Sequence, residues 1–428
     1  MLIAIILVFI LGYLCIALES FLKINKAAIA LVTGVLCWTL YILSSNEKDL
    51  VSGELIEHLG NLSQILFFLL GAMTIVELID AHDGFEIITR QITTKSKRKL
   101  IWIVCLIAFF LSAVLDNLTA TIVMISLVRK LMADKEDRLI FSGAIIIAAN
   151  AGGAWSPIGD VTTTMLWIGG QITALNIMAK LILPSLGCLL VPVFILQFML
   201  KGEVQPYVYA DDNEEAEVLS ERHKSIVFWT GFIILLLVPV FKTLTHLPPF
   251  MGILLGLGVL WVVVEILHNE KDEQERKNYT VAYALRKIDS SSILFFLGIL
   301  LAISVLESTH QLQYLATWMD TTLKDQNIIV MTIGLLSAVV DNVPLVAATM
   351  GMYDISQYPT DHYMWEFLAY CTGTGGSVLI IGSAAGVAAM GIEKIDFMWY
   401  LKKISWLALI GYFSGALVYM LQHKLLSL

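Results

Sequence analysis

Charged side chains are scarce here: Asp, Glu, Lys and Arg make up 15% of 428 residues, where an ordinary soluble domain carries about 25%. Such a chain cannot cover itself with polar surface, which excludes a water-soluble globule. Thiol chemistry is missing too. The five cysteines (Cys15, Cys37, Cys105, Cys188, Cys371) all lie inside apolar stretches, with no CxxC pair and no secreted-type spacing. They read as small apolar packers. The eight histidines include no His-x3-His ligand pair, so a structural zinc site is not expected. No basic tract interleaved with aromatics points to nucleic acid.

Hydrocarbon is abundant instead. Hydrophobic residues make up 58% of the chain, with a mean hydropathy of +0.80, and long runs such as "AIILVFILGYLCIAL" and "SIVFWTGFIILLLVPVF" recur. A spanning helix needs roughly 20 apolar residues to cross about 30 Å of hydrocarbon, so the class is an all-α polytopic membrane protein whose partner is the lipid bilayer. The opening "MLIAIILVFI" lacks the positive region of a signal peptide and reads as the first spanning helix. Much of the net charge of −9 lies in connecting segments such as "DDNEEAEVLSERHK", Asp211 to Lys224, which read as solvated linker. No soluble protein partner is implied.

Hydropathy sets spanning segments at about 2–20, 26–44, 60–80, 138–174 and 176–200, then 225–243, 249–268, 289–308, 362–396 and 397–421. The 138–174 and 362–396 segments are too long for simple helices, and each has a Gly-rich interruption. Two further stretches, about 99–130 and 326–353, hold Asp-Asn pairs between apolar arms too short to cross. Two short arms meeting at a polar tip describe a re-entrant hairpin, tolerated at membrane depth where protein or a watery cavity surrounds it.

Three blocks repeat in the same order. "ILFFLLG" (Ile65–Gly71) returns as "ILFFLG" (Ile293–Gly298), "LSAVLDN" (Leu111–Asn117) as "LSAVVDN" (Leu336–Asn342), and "AGGAWSPIG" (Ala151–Gly159) as "TGGSVLIIG" (Thr374–Gly382). The offsets, 228, 225 and 223 residues, drift slowly, as short loop deletions would make them. The expectation is ten crossings plus two hairpins, in two five-helix repeats: 1–200 and 225–428, joined by a cytoplasmic linker at 201–224. Five is odd, so the second repeat would enter the membrane inverted. Lysine and arginine favour the cytoplasmic side. Loops 21–26, 81–99, 129–138, 201–224, 269–288 and 394–403 carry 22 of them and the opposite side only five, so both termini are expected outside the cytoplasm.

The polar residues inside these segments are few and grouped. An aspartate at the bilayer centre costs about 2.5–3.5 kcal/mol, yet the chain has Asp116-Asn117 with Thr119 and Thr121, and Asp341-Asn342 with Thr349. The first break, Ala148 to Thr164, offers Asn150, Ser156, Pro157 and Asp160, the last beside three threonines. The second offers Thr372, Thr374, Ser377 and Ser383 but no acid, with Ser383 aligned to Asp160. Carboxylate, carboxamide, hydroxyl and freed carbonyl are hard oxygen ligands suited to a small hard cation. Asp and Asn also favour helix N-caps; capping alone would not require an ionisable acid twice. Glu19, Glu77, Glu265 and Glu307 read as interfacial or paired acids.

The hairpin tips, "GGAWSPIGDVTTTMLW" (Gly152–Trp167) and "GTGGSVLIIGSAAGVAAMG" (Gly373–Gly391), resemble NhaD-type sodium/proton antiporters of the ion transporter superfamily, which also holds arsenite pumps and dicarboxylate/citrate carriers. The resemblance runs from Ile65 to Gly391, with matching helices outside it. It implies two hairpins and two broken helices forming a mobile, elevator-like transport unit, and a homodimer. It also implies no cofactor, Na+ (or Li+) and H+ being the transported species; with no transit peptide read in the sequence, a bacterial inner membrane is the expected location. Asp116, Asn117, Asp341 and Asn342 stand where the dicarboxylate carriers have Ser-Asn-Thr tips. A carboxylate there would repel a dianion and hold Na+ or a proton. Pro344 stands where Thr119 stands in the first tip, so the two tips are not expected to offer identical ligands.

The resulting expectation is exchange by competition of Na+ and H+ for Asp116, Asp341 and Asp160. The alternative is an arsenite or organic-anion carrier of the same superfamily. An intramembrane aspartyl protease would carry GxGD, whereas Pro157-Ile158-Gly159 precede Asp160, and a passive channel has no use for two mobile hairpins.

Overall fold

The computed structural model describes residues 2–89, 92, 94–204, 220–269 and 277–426. Most of the acidic linker, 205–219, lies outside the described residues. The chain opens with α1 (Leu2–Ala17), α2 (Lys26–Ser44) and α3 (Lys48–Ala81). Next come α4 (Lys97–Ser112), α5 (Asn117–Leu131), α6 (Lys135–Ala154), α7 (Val161–Ile168) and α8 (Ala174–Met199). The second half starts with α9 (Glu221–Thr245), α10 (Pro249–Leu267), α11 (Val281–Lys287), α12 (Ser290–Ser308), α13 (Gln311–Leu323) and α14 (Gln326–Leu336). It ends with α15 (Asn342–Met352), α16 (Tyr363–Gly375), α17 (Ala384–Glu393), α18 (Phe397–Lys403) and α19 (Ser405–Leu426).

Among the described residues seven helices are long and apolar enough to cross a membrane: α2, α3, α8, α9, α10, α12 and α19. Large apolar side chains stand exposed along them, such as Val35, Phe194, Leu237, Leu255, Val262 and Leu417. Water would not tolerate so much exposed hydrocarbon; acyl chains do. The molecule is a multi-pass membrane protein. The remaining segments expected to cross are α1, of 16 residues, and the two interrupted helices, α6–α7 and α16–α17.

One boundary differs from expectation. Hydropathy starts the third span near residue 60, but α3 begins at Lys48 and runs 34 residues. Its early turns carry enough charge to mask the helix from a hydropathy window. Val51 nevertheless anchors them in the core shared with Ile5, Ala30, Trp38 and Phe295.

The two interrupted helices form the centre. From Phe141 to Ser156 and from Met364 to Ser377 every residue is buried, as a helix apolar all round must be. α6 packs directly on α16. The hairpin arms cross over between halves: α5 packs on α17, and α15 on α7. Outside this centre α1 and α12 both pack on α2, and α3 packs with α9 and α10. His82, after α3, meets His268, after α10, Nε2 to Nε2 at 3.0 Å.

Glycine sets how closely each hairpin approaches its interrupted helix. A Cβ on Gly152 would collide with the Phe109 carbonyl oxygen, and one on Gly375 with the Gly334 carbonyl oxygen. Gly159 lies likewise against Ser112, and Gly382 against Ser337 and Ala338. Two serine hydroxyls seal the same seams, Ser112 donating to the Ala149 carbonyl at 2.6 Å and Ser337 to the Thr372 carbonyl at 3.1 Å. Each contact recurs at the repeat offset. Close packing through small residues therefore accounts for these glycines. Gly152→Ala and Gly375→Ala should each destabilise the protein by about 1–3 kcal/mol, the cost of forcing atoms into a filled seam. Gly53→Ala, with open space around it, should not. Thermal unfolding in detergent measures all three.

Candidate functional site

Both hairpins and both interrupted helices restart on a capping side chain. Asp116 caps α5, Asp160 caps α7, Asp341 caps α15 and Ser383 caps α17. Each accepts from one of the N–H groups that a helix start leaves without an intrahelical partner. Capping, weighed above as the plain role of Asp-Asn, is what the carboxylates do locally.

Around these caps a chain of hydrogen bonds joins the halves. Asn117, on the first hairpin, donates from Nδ2 to Asp160 Oδ2 at 2.8 Å and to Asn150 Oδ1 at 3.0 Å. Asn150 Nδ2 in turn donates to Ser377 Oγ at 2.8 Å and Ser383 Oγ at 2.9 Å. Asp160 Oδ1 accepts from the Thr162 N–H at 2.8 Å and the Thr162 hydroxyl at 2.6 Å. The five linked residues, Asn117, Asn150, Asp160, Ser377 and Ser383, were all singled out from sequence, and all are buried.

Asp160 is the electrostatic problem of this cluster. Its residue is 1% exposed, and every hydrogen bond found to its carboxylate comes from a neutral group. Among the described residues no lysine, arginine or histidine forms an ion pair with it. A buried carboxylate without a counter-charge is costly unless it takes up a proton or a cation. Asp116, half-buried, accepts from the Thr119 N–H at 2.9 Å and the Thr119 hydroxyl at 2.7 Å, again without a base. It lines a cavity of about 70 Å³ with Asn117, Phe68, Ser292 and Ala384.

The second tip is built differently. Asp341 accepts from the Val343 N–H at 3.4 Å and forms an ion pair with Lys26 Nζ at 3.0 Å. It faces another cavity, of about 130 Å³, with Tyr13, Glu19, Phe295 and Pro344. Asn342 is buried beside it. Asp341 and Asp116 thus open onto different cavities rather than onto one shared space. Sequence reasoning missed Lys26, which it counted among the loop charges that mark sidedness. A usable signal was its position at the start of α2, where the helix dipole disfavours a cation.

Several hydroxyls of the two breaks are engaged elsewhere. Thr163 donates to the Ala154 carbonyl at 3.3 Å and Thr164 to the Pro157 carbonyl at 2.9 Å, so the break's own carbonyls absorb them. Thr374 donates one turn back, to Tyr370, at 2.7 Å. Ser156 is buried and accepts from the Ile158 N–H at 3.4 Å. Thr121 lies one turn beyond Asn117, with its hydroxyl buried and unpartnered among the described residues. The four secondary acids are mostly paired or peripheral. Glu19 accepts from the Lys26 N–H and Glu265 from the Trp261 indole. Glu307 lines a large cavity, about 470 Å³, with Glu54, Glu57 and His58.

Comparison with known proteins adds an independent line. Residues 6–373 match the CitMHS family model, described as citrate transporter. The chain is similar to "Sodium/proton antiporter 1" of Arabidopsis thaliana, 48% identical over 99% of this chain and 73% of that protein. It is 45% identical to "Sodium/proton antiporter 2" of the same plant, over 98% of this chain and 99% of that one. The "Na(+)/H(+) antiporter NhaD" of Vibrio cholerae is 30% identical over 98% of this chain and 91% of its own length.

The network makes Asn150 the link between halves. Asn150→Ala leaves the Asn117, Ser377 and Ser383 side chains each short of a buried partner. The expected loss is about 1–3 kcal/mol of stability, with Asn150→Asp, which can no longer donate to the two serines, also destabilised. Denaturation of the detergent-solubilised protein measures both.

Proposed function

This chain belongs to the CitMHS citrate transporter family and is related over almost its whole length to proteins named sodium/proton antiporters, and from that premise we propose that it exchanges Na+ for H+ across a membrane. It is a transporter and not an enzyme. The observation that carries the ion reading is Asp160: a buried carboxylate, hydrogen-bonded only to neutral donors, beside a second acid tip at Asp116. Such a group is neutralised by whichever small cation reaches it.

The sign of the charge follows from the caps. A helix N-terminus favours anions, and a site built from several of them would suit a carboxylate substrate such as the one the family is named for. Here three of the four capping positions already carry a covalently attached carboxylate, at Asp116, Asp160 and Asp341. The local positive ends are satisfied internally, and an incoming multiply charged anion would meet like charge. Na+ or Li+ would instead find carboxylate and carboxamide oxygen from Asp116, Asn117, Asp160 and Asn150, and from Asp341 and Asn342 at the second tip, all hard ligands.

Exchange follows from competition. Burial penalises a bare carboxylate, so the protonated and cation-bound forms are alternatives, and a single site cannot carry both ions together. The two repeats, inverted relative to one another, would let one part move: the hairpins α4–α5 and α14–α15 with the interrupted helices α6–α7 and α16–α17. The frame against which they move would be α1, α2 and α12 with α3, α9 and α10. Both termini lie outside the cytoplasm in this reading, and a homodimer would hold the frame in an energised membrane such as the bacterial inner membrane.

Everted membrane vesicles held acid-inside test the reading directly. Added Na+ or Li+ should alkalinise the lumen at alkaline pH, and Asp160→Asn and Asp116→Asn should reduce the response to that of vesicles lacking the protein. Normal exchange by both variants would remove Asp116 and Asp160 from the mechanism. Silence toward Na+, Li+ and K+ in the parent would point to the anion-carrier alternative, with arsenite and citrate uptake as the next measurements.

A further inference from the structure

The two hairpin tips hold equivalent aspartates by different means, and the difference has a chemical origin. Thr119 supplies both a backbone N–H and a hydroxyl to Asp116. Its equivalent is Pro344, which has neither donor. Asp341 is left with one long bond from Val343, and an ammonium, Lys26 Nζ, takes up its remaining capacity at 3.0 Å.

Lys26 is held for this contact. It opens α2, where a cation opposes the helix dipole. Its backbone N–H is fixed by Glu19 Oε1 at 3.0 Å, and its ammonium lies 4.3 Å from the ring centroid of Phe295 on α12. That distance is within the range of a cation–π contact. The lysine and its aromatic seat therefore both belong to the packed group α1, α2 and α12, whereas Asp341 belongs to a hairpin. The side chains are 28% and 19% exposed and border the 130 Å³ cavity, so ions can reach them. The aligned start of α10 carries Pro249 and Phe250, no lysine, and among the described residues Asp116 has no equivalent ion pair.

We propose that Lys26 is a tethered competitor for Asp341: its ammonium occupies the carboxylate between transport events, and a transported cation binds there only by displacing it. This rests on the Na+/H+ exchange reading. One carboxylate in contact with one ammonium is already neutralised, so Na+ gains there only what remains after the ion pair is broken. Displacement also severs the hairpin from α2. The site is thereby restrained until an ion arrives.

The test is Na+ binding to the purified protein at one fixed alkaline pH, with choline holding ionic strength, read by calorimetry and by the Na+-dependent rise in Tm. Lys26→Gln and Lys26→Met should bind Na+ about tenfold tighter than the parent, the order of coupling found between contacting groups. Lys26→Arg should stay near the parent. On an Asp341→Asn background Lys26→Gln should change nothing, because the competitor then has no charged partner. A folded Lys26→Gln or Lys26→Met protein without tighter binding overturns the proposal, and so does a gain that persists with Asp341→Asn. A second measurement needs no variant: reductive methylation of Lys26 in the parent, mapped by mass spectrometry, should rise when Na+ replaces choline. An unchanged rate overturns the proposal even if the lysine variants do not fold. A parent that binds Na+ while both measurements fail leaves the exchange reading standing, whereas a parent indifferent to Na+ removes both.

Discussion

A helix that starts inside a protein leaves amide hydrogens pointing at nothing, and four helices here do so close to one another. Side chains supply the acceptors that such starts require. The chain meets this requirement with Asp116, Asp160, Asp341 and Ser383. Structure and transport are not competing explanations of these acids. The same carboxylate oxygen that satisfies a helix start carries a negative charge into a region where charge is expensive. Three of the four caps could have been serine, as the fourth is, and the helices would still begin where they do.

The halves of the molecule are alike in scaffold and unlike in chemistry. Seams between hairpin and interrupted helix recur at the repeat offset, down to the carbonyl each glycine and serine meets. The chemical residues do not recur. Asn150 and Asp160 in the first break correspond to Gly373 and Ser383 in the second, and Thr119 corresponds to Pro344. One cluster consequently links two amides, an acid and two serines across the two halves, while the other tip is an ion pair with Lys26.

Much of this was legible in the sequence because it is encoded locally. The arms about 99–130 and 326–353 appear as α4–α5 and α14–α15 within a few residues, since arm length and a polar tip are features of a short window. The Gly-rich interruptions were visible for the same reason, and five candidate polar residues do meet in one network. What could not be read is set by distance along the chain. Lys26 and Asp341 are 315 positions apart, and nothing near either announces the other. Likewise Thr163, Thr164 and Thr374 look like ligands by composition, but carbonyls within their own or neighbouring turns claim them first. The early turns of α3 escaped because hydropathy measures contact with lipid, whereas their anchor is a protein core.

The glycine seams have a mechanical meaning as well. At Gly152 and Gly375 a backbone carbonyl occupies the volume a side chain would need. Shifting either hairpin by one helical turn would set a side chain against that oxygen, from Ala149 or Ser156 in the first seam and from Thr372 or Leu379 in the second. The seam therefore behaves like a key in its slot: it transmits a push along the hairpin without slipping, and it comes apart only by lifting straight out. In the exchange proposed above, each hairpin and its interrupted helix would travel as a single piece, and the sliding surfaces would lie elsewhere, between side chains bulky and smooth enough to glide.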